Sequence, residues 1–159
     1  MSGLIAWLED INEGDTKARA VLRRSLAFDP GLHIPAYPYI EPFLKGAAEG
    51  WRRQMHYLAA GLWGQHKRED HSDTKIALAV AVGRYDLAHR NKNKLSTKDK
   101  HKPTSTERRF ITLLDADEGQ LAHRLRQMVA LLKEHPIDFQ GLLDDLLQWR
   151  TDDTHVQIT

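Results

Sequence analysis

Apolar side chains recur along this 159-residue chain at intervals of three and four, a spacing that restricts it to packed helices. Leu4, Trp7, Leu8 and Ile11 make one such stripe, ended by Gly14. Leu121, Leu125, Met128, Val129 and Leu132 make another, followed by Phe139, Leu142, Leu143, Leu146 and Trp149. On an α-helix each set lies along one face, and that face must be buried against another element. These are core stripes, and the pattern predicts an all-α chain.

The remaining segments read the same way. A helix from Asp15 or Thr16 to Phe28 turns Ala18, Val21, Leu22 and Ser25 inward. Lys17 and Arg24 then flank the stripe on one side, and Arg19 and Arg23 on the other. Pro30, Pro35, Pro38 and Pro42 predict that 29–43 is mostly loop, pinned to a core by Tyr37, Tyr39 and Phe43. From Gly50 a longer helix carries Trp51, Met55, Leu58, Ala59 and Leu62 inward, with Arg52, Arg53 and His56 on its outer face. The valines of 74–89 suit a buried strand, but its alanines and length favour a buried helix. After Pro103, the run Thr104, Ser105, Thr106, Glu107 has the form of a capping box, so a helix carrying Phe110, Leu113 and Leu114 should begin near Ser105.

The net charge is only +1, yet it is unevenly placed. Residues 1–88 balance, with eleven basic and eleven acidic groups; 89–109 hold eight basic against two acidic; 110–159 hold four basic against nine acidic. This suggests an N-terminal helical lobe over 1–90, a basic loop over 91–104, a C-terminal helical lobe over 105–150 and a tail over 151–159. Such a concentrated positive stretch attracts phosphate backbones. Paired arginines at Arg23 and Arg24, Arg52 and Arg53, and Arg108 and Arg109 each adjoin a core stripe. The planar guanidinium grips phosphate at two points, which lysine cannot do. His123, Arg126 and Lys133 share an outward face and extend the basic surface. These residues do not decide between RNA and DNA.

Several chemistries are disfavoured. Cysteine is absent, which removes disulfides, thiolate metal sites and cysteine nucleophiles, and makes a reducing cytoplasm the expected setting. Nine histidines occur without an HExxH pair, and there is neither a GxSxG elbow nor a phosphate-cradling glycine loop. No metal or cofactor is expected. The first residues lack a basic leader and no apolar run approaches the ~20 residues of a membrane span, so neither secretion nor a membrane is expected. Two alternatives stay open. Arg84 and His89 have the spacing found in certain helical ribonucleases, where histidine moves a proton and arginine steadies phosphate. A free-standing helical DNA-binding regulator would also use such basic faces.

Four segments together carry a resemblance: AVLRRSL at 20–26, HIPAYPYIEPFL at 33–44, ERRFITLLDAD at 107–117 and LAHRLRQMVALLKEHPIDFQGLLDDLLQW at 121–149. They resemble the small subunit of the type I-E CRISPR surveillance complex, Cascade, the CasB family. The resemblance implies an all-α, two-lobed helical bundle without catalytic activity. It implies two copies per complex, beside the guide-RNA-bearing backbone subunits. It further implies basic faces that hold guide RNA and the strands of the target DNA R-loop through backbone contacts. Carried over by position, the implied contact residues are Arg23, Arg24, Arg108, Arg109 and Arg126. Arg84, within Gly83-Arg84-Tyr85-Asp86, stands where the family has a Gly-Arg-Ala-Leu-like stretch.

Overall fold

The computed structural model describes residues 3–11, 16–44, 50–66, 75–93 and 104–149, with side chains excepted at 90–93. The helices are α1 (Leu4–Ile11), α2 (Thr16–Ser25), α3 (Tyr37–Leu44), α4 (Trp51–Gln65), α5 (Leu78–Asn93), α6 (Ser105–Leu114), α7 (Glu118–Leu131) and α8 (Phe139–Gln148), with a 3-10 turn at Ile34–Ala36. Among the described residues there is no strand, and the fold is all-α. Ile76 and Ile137 form an isolated parallel bridge, in which Ile76 N–H donates to the Pro136 carbonyl at 2.7 Å and Asp138 N–H to the Ile76 carbonyl at 2.8 Å.

The helices group into two compact units. One contains α1 to α4 and α8; the other contains α5 to α7. These units do not follow the sequential lobes expected at 1–90 and 105–150. The α8 stripe of Phe139, Leu142, Leu143 and Leu146 is buried, and α8 packs against α4 and α1. The α4 helix can accept it because Met55 through Gly64 are all buried, so α4 is the central rod of its unit and not a one-sided amphipathic helix. That corrects His56, expected on the outer face, which is only 5% exposed. Of the expected basic loop 91–104, residues 91–93 end α5 and Thr104 caps α6. The rest of that loop, and the tail at 151–159, lie outside the described residues.

The α2 helix buries Ala18, Val21, Leu22 and Ser25, the set its periodicity selects. It lies so close to α4 that the facing position Gly64 must lack a side chain. A Cβ at Gly64 would stand 2.9 Å from both the Arg19 carbonyl oxygen and the Arg23 backbone nitrogen, and one at Gly61 would stand 2.6 Å from Leu26 Cδ2. Arg19 spans this contact. Its guanidinium carbon sits 4.0 Å from the Trp63 ring centroid, and Nη1 donates to the carbonyls of Trp63 at 2.8 Å, His66 at 3.3 Å and Gly64 at 3.4 Å. A cation there satisfies carbonyls that the end of a helix leaves unpaired.

The proline-rich segment is more helical than expected. Pro35 falls at the start of the 3-10 turn and Pro38 in the first turn of α3, where a missing N–H costs nothing. Pro42, inside α3, forfeits one hydrogen bond only two residues before the helix ends. The aromatic anchoring is as expected: Trp7 lies 5.5 Å from Phe43 and 6.4 Å from Tyr39, centroid to centroid. Trp51 Nε1 donates to the Leu146 carbonyl at 2.6 Å and ties α4 to α8.

In the other unit α7 buries Leu121, Leu125, Met128 and Val129 as expected, and Asp117 caps it by accepting from the Gln120 N–H at 3.0 Å. The α5 helix is less buried than its composition suggests. Ala81, Val82 and Asp86 are buried, whereas Val80 and Leu87 are 46% and 60% exposed.

Gly64→Ala should force α2 and α4 apart and cost about 1–3 kcal/mol, read as a lower denaturation midpoint in urea. Burial, reinforced by the Arg52 charge and opposed by the Arg52 carbonyl 2.8 Å from Nδ1, holds the His56 pKa below its ordinary value of about 6.5. The folded state therefore favours neutral His56. Its contribution should be complete above about pH 6.5 and be lost as pH falls below it, because the unfolded chain takes up the proton first. Unfolding free energies measured across that range should decline toward acid, with a shallower slope in His56→Gln.

Candidate nucleic-acid interface

The α6 helix begins where the sequence places it. Thr104 is its N-cap, with Oγ1 accepting from the Glu107 N–H at 3.0 Å, and the same hydroxyl donates to Asp86 Oδ1 on α5 at 2.6 Å. One side chain thus starts α6 and fastens it to α5. Arg108 and Arg109 follow within the first turns, both exposed on a backbone held by that cap. Thr112 Oγ1 donates to the Arg108 carbonyl at 2.7 Å.

Opposite α6, Arg124 on α7 directs Nη2 and Nε to Gln120 Oε1 at 3.1 and 3.3 Å. Arg108, Arg109 and Thr112 from α6, and Arg124, Gln127 and Met128 from α7, enclose an open cleft of about 150 Å³. Arg124 was not among the residues singled out from the sequence. Its signal was present: it precedes Met128, a core residue, by one helical turn, so it borders the apolar stripe on the side facing α6. Arg126, chosen from the sequence, stands about 160° around α7 from Arg124 and is exposed away from the cleft. Lys133 is exposed in the turn after α7.

The sequence-selected arginines of the α1–α4 and α8 unit divide into two kinds. Arg23 and Arg24 are exposed in the last turn of α2, and Arg52 is exposed in the first turn of α4. A cation at a helix N-terminus opposes the helix dipole, so Arg52 is placed against its local electrostatic preference. Arg53 is engaged within the unit. Its Nη2 meets Glu41 Oε1 at 2.7 Å, Nη1 donates to the Gly31 carbonyl at 3.3 Å, and its guanidinium carbon lies 4.7 Å from the Tyr57 centroid. Tyr57 donates to the same Glu41 oxygen at 2.5 Å, and burial together with that bond pushes its phenol above the ordinary value.

Arg84 and His89 are both exposed on α5, but five residues apart on a helix places them about 140° from each other. His89 stacks on Tyr85 at 4.0 Å, with Nδ1 3.1 Å from the Tyr85 carbonyl. Among the described residues no group of three metal-ligating side chains converges, and no helix is long and apolar enough to cross a membrane.

Fold and surface together define an all-helical protein of two compact units with arginines presented beside its core stripes. The chain belongs to the Cse2 family of CRISPR-associated proteins. The family described as CRISPR-associated protein Cse2 matches residues 18–159. The CRISPR-associated protein Cse2 of Thermus thermophilus is 44% identical over 156 residues, spanning 95% of this chain and 81% of that protein. The crystal structure of a Cse2-family protein from the same organism superposes with a TM-score of 0.76 at 41% identity, covering 97% of this chain and 90% of the other. The crystal structure of M. ruber CasB gives a TM-score of 0.73 at 30% identity, covering 98% and 88%.

Thr104→Val should remove the cap and the Asp86 contact together, costing about 1–2 kcal/mol and lowering Tm by roughly 2–8 °C. Thr104→Ser, which keeps the hydroxyl, should stay close to the parent in the same thermal melt.

Proposed function

We propose that the protein is a non-catalytic, nucleic-acid-binding subunit of a type I-E CRISPR Cascade complex, working in the cytoplasm beside the other Cascade subunits and a second copy of itself. Its exposed arginines would hold guide RNA and the strands of the target DNA R-loop by their phosphates. Family membership supports the setting. The observation that carries the binding role is the pair Arg108 and Arg109, exposed at the start of a capped helix and lining a cleft with a third arginine. A fixed backbone beneath two guanidinium groups lowers the ordering cost of gripping a phosphate.

The division of labour follows from the chemistry of the complex. Pairing between guide and target supplies the sequence information, so a neighbouring protein needs only charge and shape. Such a subunit stabilises an opened duplex by neutralising its separated strands. Arg23, Arg24, Arg52, Arg84, Arg126 and Lys133, exposed on other helices and turns, supply further phosphate contacts in this reading. Arg53, engaged by Glu41, contributes by holding its own unit together unless the ion pair opens.

Arg108→Ala combined with Arg109→Ala should weaken retention of target DNA by the assembled complex and flatten its salt dependence. Two lost single-strand contacts reduce the slope of log K against log salt by about 1.4. The isolated double variant should remain folded, since both side chains are exposed. A salt slope equal to the parent's would overturn the role of this pair.

A further inference from the structure

We infer that the α6–α7 cleft takes an unpaired nucleobase, stacked on the Arg124 guanidinium, while Arg108 and Arg109 hold the phosphate attached to it. This rests on the nucleic-acid-binding reading above and specifies its ligand as single-stranded. The argument begins with what each lining group has left to offer. Arg124 already spends its Nε and Nη2 edge on Gln120 Oε1, at 3.3 and 3.1 Å. That edge is one a phosphate would need for a two-point grip. Its engagement also fixes the guanidinium plane, leaving the flat faces and Nη1 toward other partners. Thr112 spends its hydroxyl proton on the Arg108 carbonyl at 2.7 Å. Met128, almost wholly buried, contributes an apolar thioether wall.

Such a lining suits a flat, weakly polar group better than a bare anion. A planar ring stacks on a guanidinium face, and single-stranded nucleic acid is commonly held by that stacking with cations along its backbone. The Gln127 amide offers a donor and an acceptor to a base edge. About 150 Å³ accommodates one ring system and is well below the size of a pocket for a larger folded ligand. Arg108 and Arg109, exposed on the α6 wall with no hydrogen-bond or ion-pair partner for either guanidinium among the described residues, remain for phosphate. A duplex hides its bases in the stack, so the cleft discriminates against it.

The test uses the full chain and fluorescence anisotropy with two labelled single strands of equal length, one of ordinary nucleotides and one made of abasic units with the same phosphates. The ordinary strand should bind roughly three- to tenfold more tightly, with the same salt slope for both. Arg124→Lys keeps the charge but loses the flat face, and should bring the two strands to within about twofold of each other while circular dichroism stays unchanged. Equal binding of both strands by the parent, or a preserved preference in Arg124→Lys, overturns the base-stacking inference. If both strands bind equally but both weaken in Arg108→Ala with Arg109→Ala, the phosphate-binding reading stands and only the base is excluded. If that double variant weakens neither, the reading itself falls and the inference with it.

Discussion

The contact between α2 and α4 governs the unit built from α1 to α4 and α8. Gly64 lets the α2 backbone come within a distance that no side chain would permit, and that proximity places Arg19 within reach of the last carbonyls of α4. Several consequences follow. With α2 seated on one side, α4 can be buried on the others by α1, α3 and α8, which is why its sequence is apolar nearly all round from Met55 onward. Arg19 then replaces the water that would otherwise solvate the helix end. Burial pulls its pKa down from the usual arginine value, with Glu9 opposing, but the group remains a cation because that value starts so high.

The arginines of this protein therefore serve two purposes that look alike in a sequence. Arg19 and Arg53 lie against aromatic rings and donate to backbone carbonyls of their own unit. Arg23, Arg24, Arg52, Arg108 and Arg109 project into solvent. A buried guanidinium must be matched by acceptors, whereas an exposed one stays hydrated until a ligand displaces that water. The same distinction gives the α6–α7 cleft its character. Two of its arginines are exposed, and the third is oriented by Gln120.

Much of this could be read from periodicity and capping alone. The inward set of α2, the stripes of α7 and α8 and the start of α6 at Ser105 follow from spacings and hydrogen bonds between residues near one another in the chain, whereas the aromatics of 37–43 meet Trp7 and Tyr57, which are distant in sequence. Prolines at 35 and 38 predict a loop, but at a first turn they are neutral, and that depends on where the helix begins. For α5, alanine and valine content suggested full burial, yet Val80 and Leu87 are exposed. A single apolar stripe would turn His56 outward, but α4 has partners on several sides. Arg124 gains its place in the cleft only from α6 standing across from it.

The amino-acid pattern by itself determined that the chain is helical, where α1, α2, α4 and α6 begin, and which stripes of α2, α7 and α8 enter the core. Those properties follow from the 3.6-residue repeat and from hydrogen bonds closed within one turn. Folding in three dimensions settled which helices are neighbours, and hence that α8 joins α4, that Arg53 is claimed by Glu41, and that Arg108, Arg109 and Arg124 share a cleft. A helical repeat tells each residue which way to face, but the partner it meets is chosen by packing between segments that are distant in the chain.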